Sequence, residues 1–378
     1  MPGTEAEVVV VGGGAAGLSV AAALSRRDVH ALVLERHEFV GATWSRRYER
    51  LRLHTVRRYS GLAHYPIPRT YPRYLSKNDF AEYLRSYAER LRLDIRTGEA
   101  VRMVRPCDAG LGWTVETDNR SWNASVVVVA TGSYGEPRRP SWAGAQAYGG
   151  CLLHSSDYES GARFRGAKAL VVGIGNSGAE IATDLVEQGA AEVTIAVRTP
   201  PPIIPRDLFG VVPVQLLGLA LTPVPTPRLL DRLGDAVRRV GVGYLREYGL
   251  GPAAWGPFTA RRPAVIDVGF LHELKAKRIR VRPAVSGLTA SGVTFVDGSA
   301  EDFDVVVAAT GFTAGLERFL DVPGAVGEKG EPSVRSGRTT PFPGLYFTGF
   351  EETVRGTLFE IRRESKRLAR QIARYLRS

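Results

Sequence analysis

Cysteine is nearly absent. Cys107 and Cys151 are the only two in 378 residues and stand in no CxxC spacing. A disulfide framework, a zinc ribbon and a dithiol redox pair are thereby excluded, and a reducing, cytoplasmic setting is expected. Long hydrophobic runs are missing as well. The longest apolar stretch, Val211 to Val224, is broken by Pro213, Gln215, Gly218 and Pro223, too short and interrupted for a bilayer span. The opening residues, MPGTEAEVVVVGGG, have no basic start and no cleavage site, so no secretory leader is expected. Lysine is scarce, six of the 50 basic residues. The net charge of +11 therefore reads as an arginine habit of the coding sequence. No basic run with interleaved aromatics is present, so no nucleic-acid partner is expected. No metal site is expected either, since the one suggestive histidine, His154, has no second ligand nearby.

What is present is a globular composition, 44% apolar and 24% charged, long enough for two or three domains. Residues 7–11, Glu-Val-Val-Val-Val, run into Gly12-Gly13-Gly14, then an apolar helix from Ala15 to Leu24, then Ala31 to Glu35. That is a strand, a glycine turn, a helix and a strand, the grammar of a βαβ unit. It recurs: Ala169 to Val172, Gly173-Ile174-Gly175-Asn176-Ser177-Gly178, a helix to Glu187, and a strand from Val193 to Arg198. With 42 glycines in the chain, one GxGxxG match carries little weight; two in the right context imply two nucleotides.

In the first match Gly12 permits a tight turn, Gly14 lets a diphosphate approach the backbone, and Gly17 lets the helix pack on the strand. Glu35, closing the second strand, suits ribose hydroxyls and repels a 2′-phosphate, so this site suits FAD or NAD. Arg198, taken as the counterpart of Glu35, suits the 2′-phosphate of NADPH. A site for FAD beside a site for NADPH defines a flavin-dependent oxidoreductase.

A third feature also repeats. Val126 to Gly132 matches Val305 to Gly311, each a buried parallel strand ending in Ala-Thr-Gly, and each preceded by an alternating strand (113–116 and 293–296). The fold expected is α/β, two Rossmann-like nucleotide-binding domains. An FAD domain split in sequence (1–145 and 311–378) encloses an NADPH domain (146–310) that carries a mostly helical insert at about 200–263. A C-terminal helix from Thr357 puts Leu358, Ile361, Leu368 and Ile372 on one face and arginines opposite, as a helix packed on a sheet does.

The stretch Tyr148-Gly149-Gly150-Cys151-Leu152-Leu153-His154-Ser155-Ser156-Asp157-Tyr158 resembles the FxGxxxHxxx(Y/F) fingerprint of flavin-containing monooxygenases. Gly41-Ala42-Thr43-Trp44, YERLRLHT at 48–55, YPRYLSKNDFAEYL at 71–84, YGLGP at 248–252, PAVIDVG at 263–269 and FDVVVAATGF at 303–312 resemble the YUCCA branch and its bacterial relatives. The resemblance covers nearly the whole chain. It implies a class B monooxygenase in which reduced FAD takes up O2 as a C4a-(hydro)peroxyflavin while NADPH, once oxidised, stays bound. It also implies a small-molecule substrate and O2 as partners, and raises a homodimer as an assembly to test. Carried over, Gly12, Gly14, Gly17, Glu35 and Trp44 bind FAD, and Gly173, Gly175, Asn176, Ser177, Gly178 and Arg198 bind NADPH. Ala16, Arg36, Ala130, Thr131, Gly132, Thr199, Thr310, Gly311 and Gly349 complete the cofactor set, and His154 is structural.

The chain departs from the family in three places. Gly41-Ala42 replaces Gly-Gly. Residues 51–75 contain no asparagine, leaving His54, Thr55 and Tyr59 as the polar candidates on the flavin side. The loop at 349–356 carries Glu351 and Glu352 where YUCCA proteins are basic. Insertion of one oxygen atom into a small organic substrate is the favoured activity. Oxidative decarboxylation of an aromatic 2-keto acid, a Baeyer–Villiger-like oxidation and a non-catalytic flavoprotein stand as alternatives.

Overall fold

The computed structural model describes residues 4–107, 112–221, 226–260 and 262–378. Taking the described residues, Met1–Arg46, Thr55–Glu136 and Phe312–Ser378 form one compact unit, and Arg47–His54 with Pro137–Gly311 form a second.

The first unit is built on a seven-stranded sheet. Its strands run in the order Asp94–Thr97, Ala31–Glu35, Thr4–Val11, Ser121–Val129, Trp113–Thr117 and Val101–Pro106. Leu345–Phe347 also pairs with Ser121–Val129, in parallel. Val8 to Val11 lie between Ala31–Leu34 and Val126–Val129, in parallel on both sides. All four valines are buried, which is why these strands read as continuous β-branched runs rather than alternating ones. The antiparallel edge alternates instead, with Trp113 and Val115 buried and their neighbours half-exposed.

Two helices cover one face. Ala15–Ser25 is buried at ten of its eleven positions, and its small side chains let it lie between the sheet and the C-terminal helix Thr357–Tyr375. That last helix buries Leu358, Ile361, Leu368 and Ile372 and leaves Arg363, Lys366, Arg370 and Arg374 exposed, as its sequence pattern requires.

The second unit holds a five-stranded parallel sheet in the order Ile279–Arg282, Glu192–Ala196, Lys168–Val172, Val305–Ala308 and Cys151–His154. Val171, Ile181, Leu185, Ile195, Phe270 and Leu274 share its main core. A three-stranded meander, Val285–Leu288, Gly292–Phe295 and Ala300–Asp302, closes a smaller core with Tyr148, Leu170 and Phe303.

Three expectations are corrected. The boundary anticipated after residue 145 falls at Glu136/Pro137, because residues 137–145 pack on the meander: Leu288 N donates to Ala143 O at 2.8 Å, and Trp142 joins the core beneath. The segment Arg47–His54 belongs to the second unit. Arg50 grips Glu187 with two hydrogen bonds (2.9 and 2.8 Å) and donates to Val268 O, while Glu49 N donates to Glu159 O at 2.9 Å. The insert is less helical than its composition suggests. The short strands Ile203–Pro205, Asp207–Leu208 and Val212–Pro213 come before its two helices, Val214–Leu221 and Pro227–Gly241. Pro200, Pro201, Pro202, Pro205 and Pro213 fix φ and remove amide donors, so no helix can run through 200–213. Residues 222–225 and 261 of the expected insert lie outside the described residues.

Leu368 is fully buried between the C-terminal helix and its neighbours. Leu368→Ala is expected to cost about 2–5 kcal/mol through lost burial and the cavity left behind. Arg370→Ala, on the outer face, is expected to stay within about 0.5 kcal/mol. Urea midpoints of the two variants against wild type check this.

Candidate functional site

The two glycine turns repeat each other in detail. Gly12 has φ +106°, and a Cβ there would lie 2.9 Å from Ala130 O; Gly173 also has φ +106°, with a Cβ position 2.6 Å from Ala309 O. Both positions lie in the left-handed region and against backbone, so only glycine fits. A Cβ on Gly17 would stand 1.9 Å from Gly12 O, and one on Gly178 would stand 2.0 Å from Gly173 O. Helix and turn therefore touch backbone to backbone. Gly14 and Gly175 are different: nothing lies within 4 Å of a Cβ at either. Each is the N-cap of its helix, Ala15–Ser25 or Asn176–Glu187, with no side-chain cap and no acid in the first turn. Uncapped amides thus face open space in both turns, the arrangement that receives a diphosphate.

The first turn gathers more polar groups. Glu35 is 8% exposed; its Oε2 accepts from Gly13 N at 2.8 Å and its Oε1 from His37 N at 2.9 Å. Each oxygen keeps acceptor capacity for a further donor. Ala130 N donates to Val11 O at 2.9 Å, and the buried hydroxyl of Thr131 has no hydrogen-bond partner among the described residues. Gly132 turns at φ +76°. Gly349, at φ +85°, faces the side chain of Ala16, and its N–H donates to Glu364 at 3.0 Å. Arg36 is exposed with its Nε 3.4 Å from His37, and Trp44 meets the edge of Phe80 with ring centres 4.6 Å apart.

The second turn carries a correction. Gly12 N donates to Leu34 O and Gly173 N to Ala196 O, which sets the two strands in register. The counterpart of Glu35 is therefore Val197, and Arg198 aligns with Arg36 one position further on. Arg198 and Thr199 are exposed beyond the strand end, and Arg198 makes no ion pair among the described residues. Asn176 Oδ1 accepts from Ile266 N at 2.8 Å. Thr310 donates its hydroxyl to Arg138 O at 2.5 Å, and Gly311 turns at φ +88°.

His154 is 1% exposed. Its Nε2 lies 3.1 Å from Gly311 O and its Nδ1 accepts from Ser156 N at 3.1 Å, a pattern only the neutral ring satisfies. Burial accordingly holds its pKa below the usual histidine value.

The three flavin-side candidates fall in different units. Thr55 pairs with Ser60 through their hydroxyls at 2.7 Å, and the Tyr59 ring sits 6.4 Å from that of Phe359. His54 belongs to the second unit, where its Nε2 is 2.7 Å from the buried carboxylate of Glu180. Glu180 also bonds Tyr48, whose hydroxyl reaches Ser177 in the glycine turn; burial and then the Glu180 charge push the Tyr48 pKa well up. This chain of four polar groups escaped sequence reasoning. Its one signal was a carboxylate in the apolar stripe Ala179, Ile181, Ala182 and Leu185.

Residues 9–203 match the family described as pyridine nucleotide-disulphide oxidoreductase. The indole-3-pyruvate monooxygenase YUCCA1 of Oryza sativa subsp. japonica is 38% identical, covering 93% of this chain and 87% of its own length. The probable indole-3-pyruvate monooxygenase YUCCA1 of Arabidopsis thaliana is 34% identical, over 93% and 86%. Among solved structures, the flavin-containing monooxygenase of Stenotrophomonas maltophilia shares the fold with a TM-score of 0.77 at 22% identity, covering 98% of this chain and 99% of that one. A steroid monooxygenase bound to NADP shares it with a TM-score of 0.77 at 20% identity, covering 98% and 84%. Two Rossmann-like turns of this geometry, with these relatives, define an FAD- and NADPH-dependent monooxygenase. The chain belongs to the flavin monooxygenase family that contains the YUCCA enzymes. Among its described residues no helix is long and apolar enough to cross a membrane.

A depressed histidine pKa means that the unfolded chain takes up the proton first. The stability His154 contributes is thus complete above the ordinary histidine range and lost as pH falls through it toward the lowered folded value. His154→Gln is expected to flatten the fall in urea midpoint between pH 7.5 and pH 5 seen for wild type. An unchanged slope contradicts the assignment.

Proposed function

We propose that this enzyme oxidatively decarboxylates an aromatic 2-keto acid, with FAD held by the first unit and NADPH by the second. The observation that carries the substrate class is the match, over more than nine-tenths of the chain, to relatives named for indole-3-pyruvate. When bound, the two cofactors supply the hydride and the activation of O2. In the overall change one oxygen atom of O2 enters the carbonyl carbon, the bond to the carboxylate breaks and CO2 leaves. The other oxygen atom leaves as water, with the two electrons from NADPH and one proton from solvent.

In this reading the amides after Gly14 receive the FAD diphosphate, and Glu35 accepts ribose hydroxyls with the lone pairs left free by Gly13 and His37. The amides after Gly175 receive the NADPH diphosphate. Val197 stands where the first unit has Glu35, so no carboxylate repels a 2′-phosphate, and Arg198 is the adjacent cation. The Tyr48–Glu180–His54 chain holds Ser177, and with it the turn, in place.

Glu351 and Glu352 argue less against an anionic substrate than their sequence suggests. Glu351 is paired with Arg335, at 2.8 Å, and Glu352 accepts from the Tyr134 hydroxyl. The charge of Glu351 is therefore balanced by a guanidinium, while Glu352 is held by a neutral donor.

Two measurements test the proposal. NADPH oxidation by the FAD-loaded enzyme should be stimulated by aromatic 2-keto acids, with release of CO2, and not by tertiary amines or thioethers. Turnover of the amines or thioethers alone overturns the substrate class. Arg198→Ala should lose roughly 10- to 150-fold in NADPH affinity, the worth of about 1.5–3 kcal/mol for a charge-assisted contact, with NADH little affected and FAD retained. A variant that keeps its NADPH preference removes Arg198 from the site.

A further inference from the structure

A cavity of about 150 Å³ opens in the first unit where the C-terminal helix meets the loops that precede it. None of its lining residues belongs to a glycine turn. Five guanidiniums line it, those of Arg335, Arg338, Arg355, Arg363 and Arg367, against three carboxylates, Glu351, Glu360 and Glu364.

The carboxylates are already engaged. Arg335 holds Glu351 with two hydrogen bonds, of 3.2 and 2.8 Å. Arg355 donates to Glu360 at 2.6 Å, and Thr353 donates to the same oxygen at 2.8 Å. Glu364 is buried and accepts from the Thr348 hydroxyl and Gly349 N, both at 3.0 Å. Burial, reinforced by the neighbouring Glu351 and Glu360, pushes its pKa up. Arg338, Arg363 and Arg367 make no ion pair among the described residues. Arg363 and Arg367 are one helical turn apart, where like charges oppose the helix unless something negative lies between them.

We infer that this cavity is a binding site for a small oxyanion, a phosphate or carboxylate group gripped by Arg338, Arg363 and Arg367. Guanidinium forks match both groups in a planar, two-pronged geometry. The volume is about ten times the ~10–15 Å³ that a single water needs, enough for a small anionic group. The wall formed by Glu351, Thr353 and Arg355 continues from Gly349, which packs on Ala16 in the first glycine turn. The site therefore adjoins the flavin-side loop without being part of either nucleotide turn.

The test uses the FAD-loaded enzyme saturated with NADP⁺, so that both nucleotide turns are filled, titrated calorimetrically with inorganic phosphate and separately with malonate. Wild type should bind at least one of the two at a single saturable site; which one it prefers identifies the source group. Arg363→Gln combined with Arg367→Gln should raise the dissociation constant at least tenfold, and Arg338→Gln, on the loop before the C-terminal helix, should raise it as well. Arg370→Gln combined with Arg374→Gln removes the same charge from exposed positions of the same helix outside the cavity, and should change binding less than twofold. FAD content and urea midpoints establish that each variant is folded. Absence of saturable binding, or equal losses in the two double variants, overturns the inference, the second outcome meaning general charge attraction only.

Discussion

Everything in this chain hangs on a backbone contact made twice. At Gly17 and again at Gly178, the helix leaving the turn comes so close to the carbonyl of Gly12 or Gly173 that a single added carbon would sit about 2 Å from it. The contact draws the helix down onto the strand and aims its uncapped amides into the open space beside Gly14 or Gly175. Close packing and anion-receiving geometry are thus one feature rather than two. Valine runs fix the strands on either side, and the surrounding cores have no room to absorb a shift of the turn.

The two halves share this frame and differ in charge. In the first, a buried carboxylate at the strand end is locked by two amides of its own loop. In the second, valine takes that place and arginine follows in solvent. A one-residue offset in register decides which group faces the cofactor, and only the paired strands reveal it. The polar chain from His54 through Glu180 and Tyr48 to Ser177 supplies the second turn with a support that the first obtains from Glu35.

The parts legible in the sequence were those with local causes. Both βαβ units, the buried valine strands and the amphipathic C-terminal helix follow from periodicity and turn chemistry over a few residues. What escaped depends on partners distant in the chain. Arg47–His54 joins the second unit through Glu187, Val268 and Glu159, more than a hundred residues away. Glu180 gains its meaning only from Tyr48 and His54. Arg198 was identified as the cation of its turn, but counting from the glycines could not say that it stands one place beyond Glu35's counterpart. The charge of Glu351 looked unpaired until Arg335 was found against it, and the bond from Tyr134 to Glu352 was equally hidden.

The chain passes between its units four times, at 46/47, 54/55, 136/137 and 311/312. Order of synthesis then matters. The sheet of the first unit is missing Leu345–Phe347, and the helix Ala15–Ser25 its covering partner Thr357–Tyr375, until residues well past the second unit have been made. The second unit lacks only the short piece 47–54 from outside its main span, and that piece is made first. On the ribosome the inserted unit can finish while the one begun earlier still waits with the apolar surface of its first helix uncovered. Loss of the helix Thr357–Tyr375 would therefore strand the half that was started first.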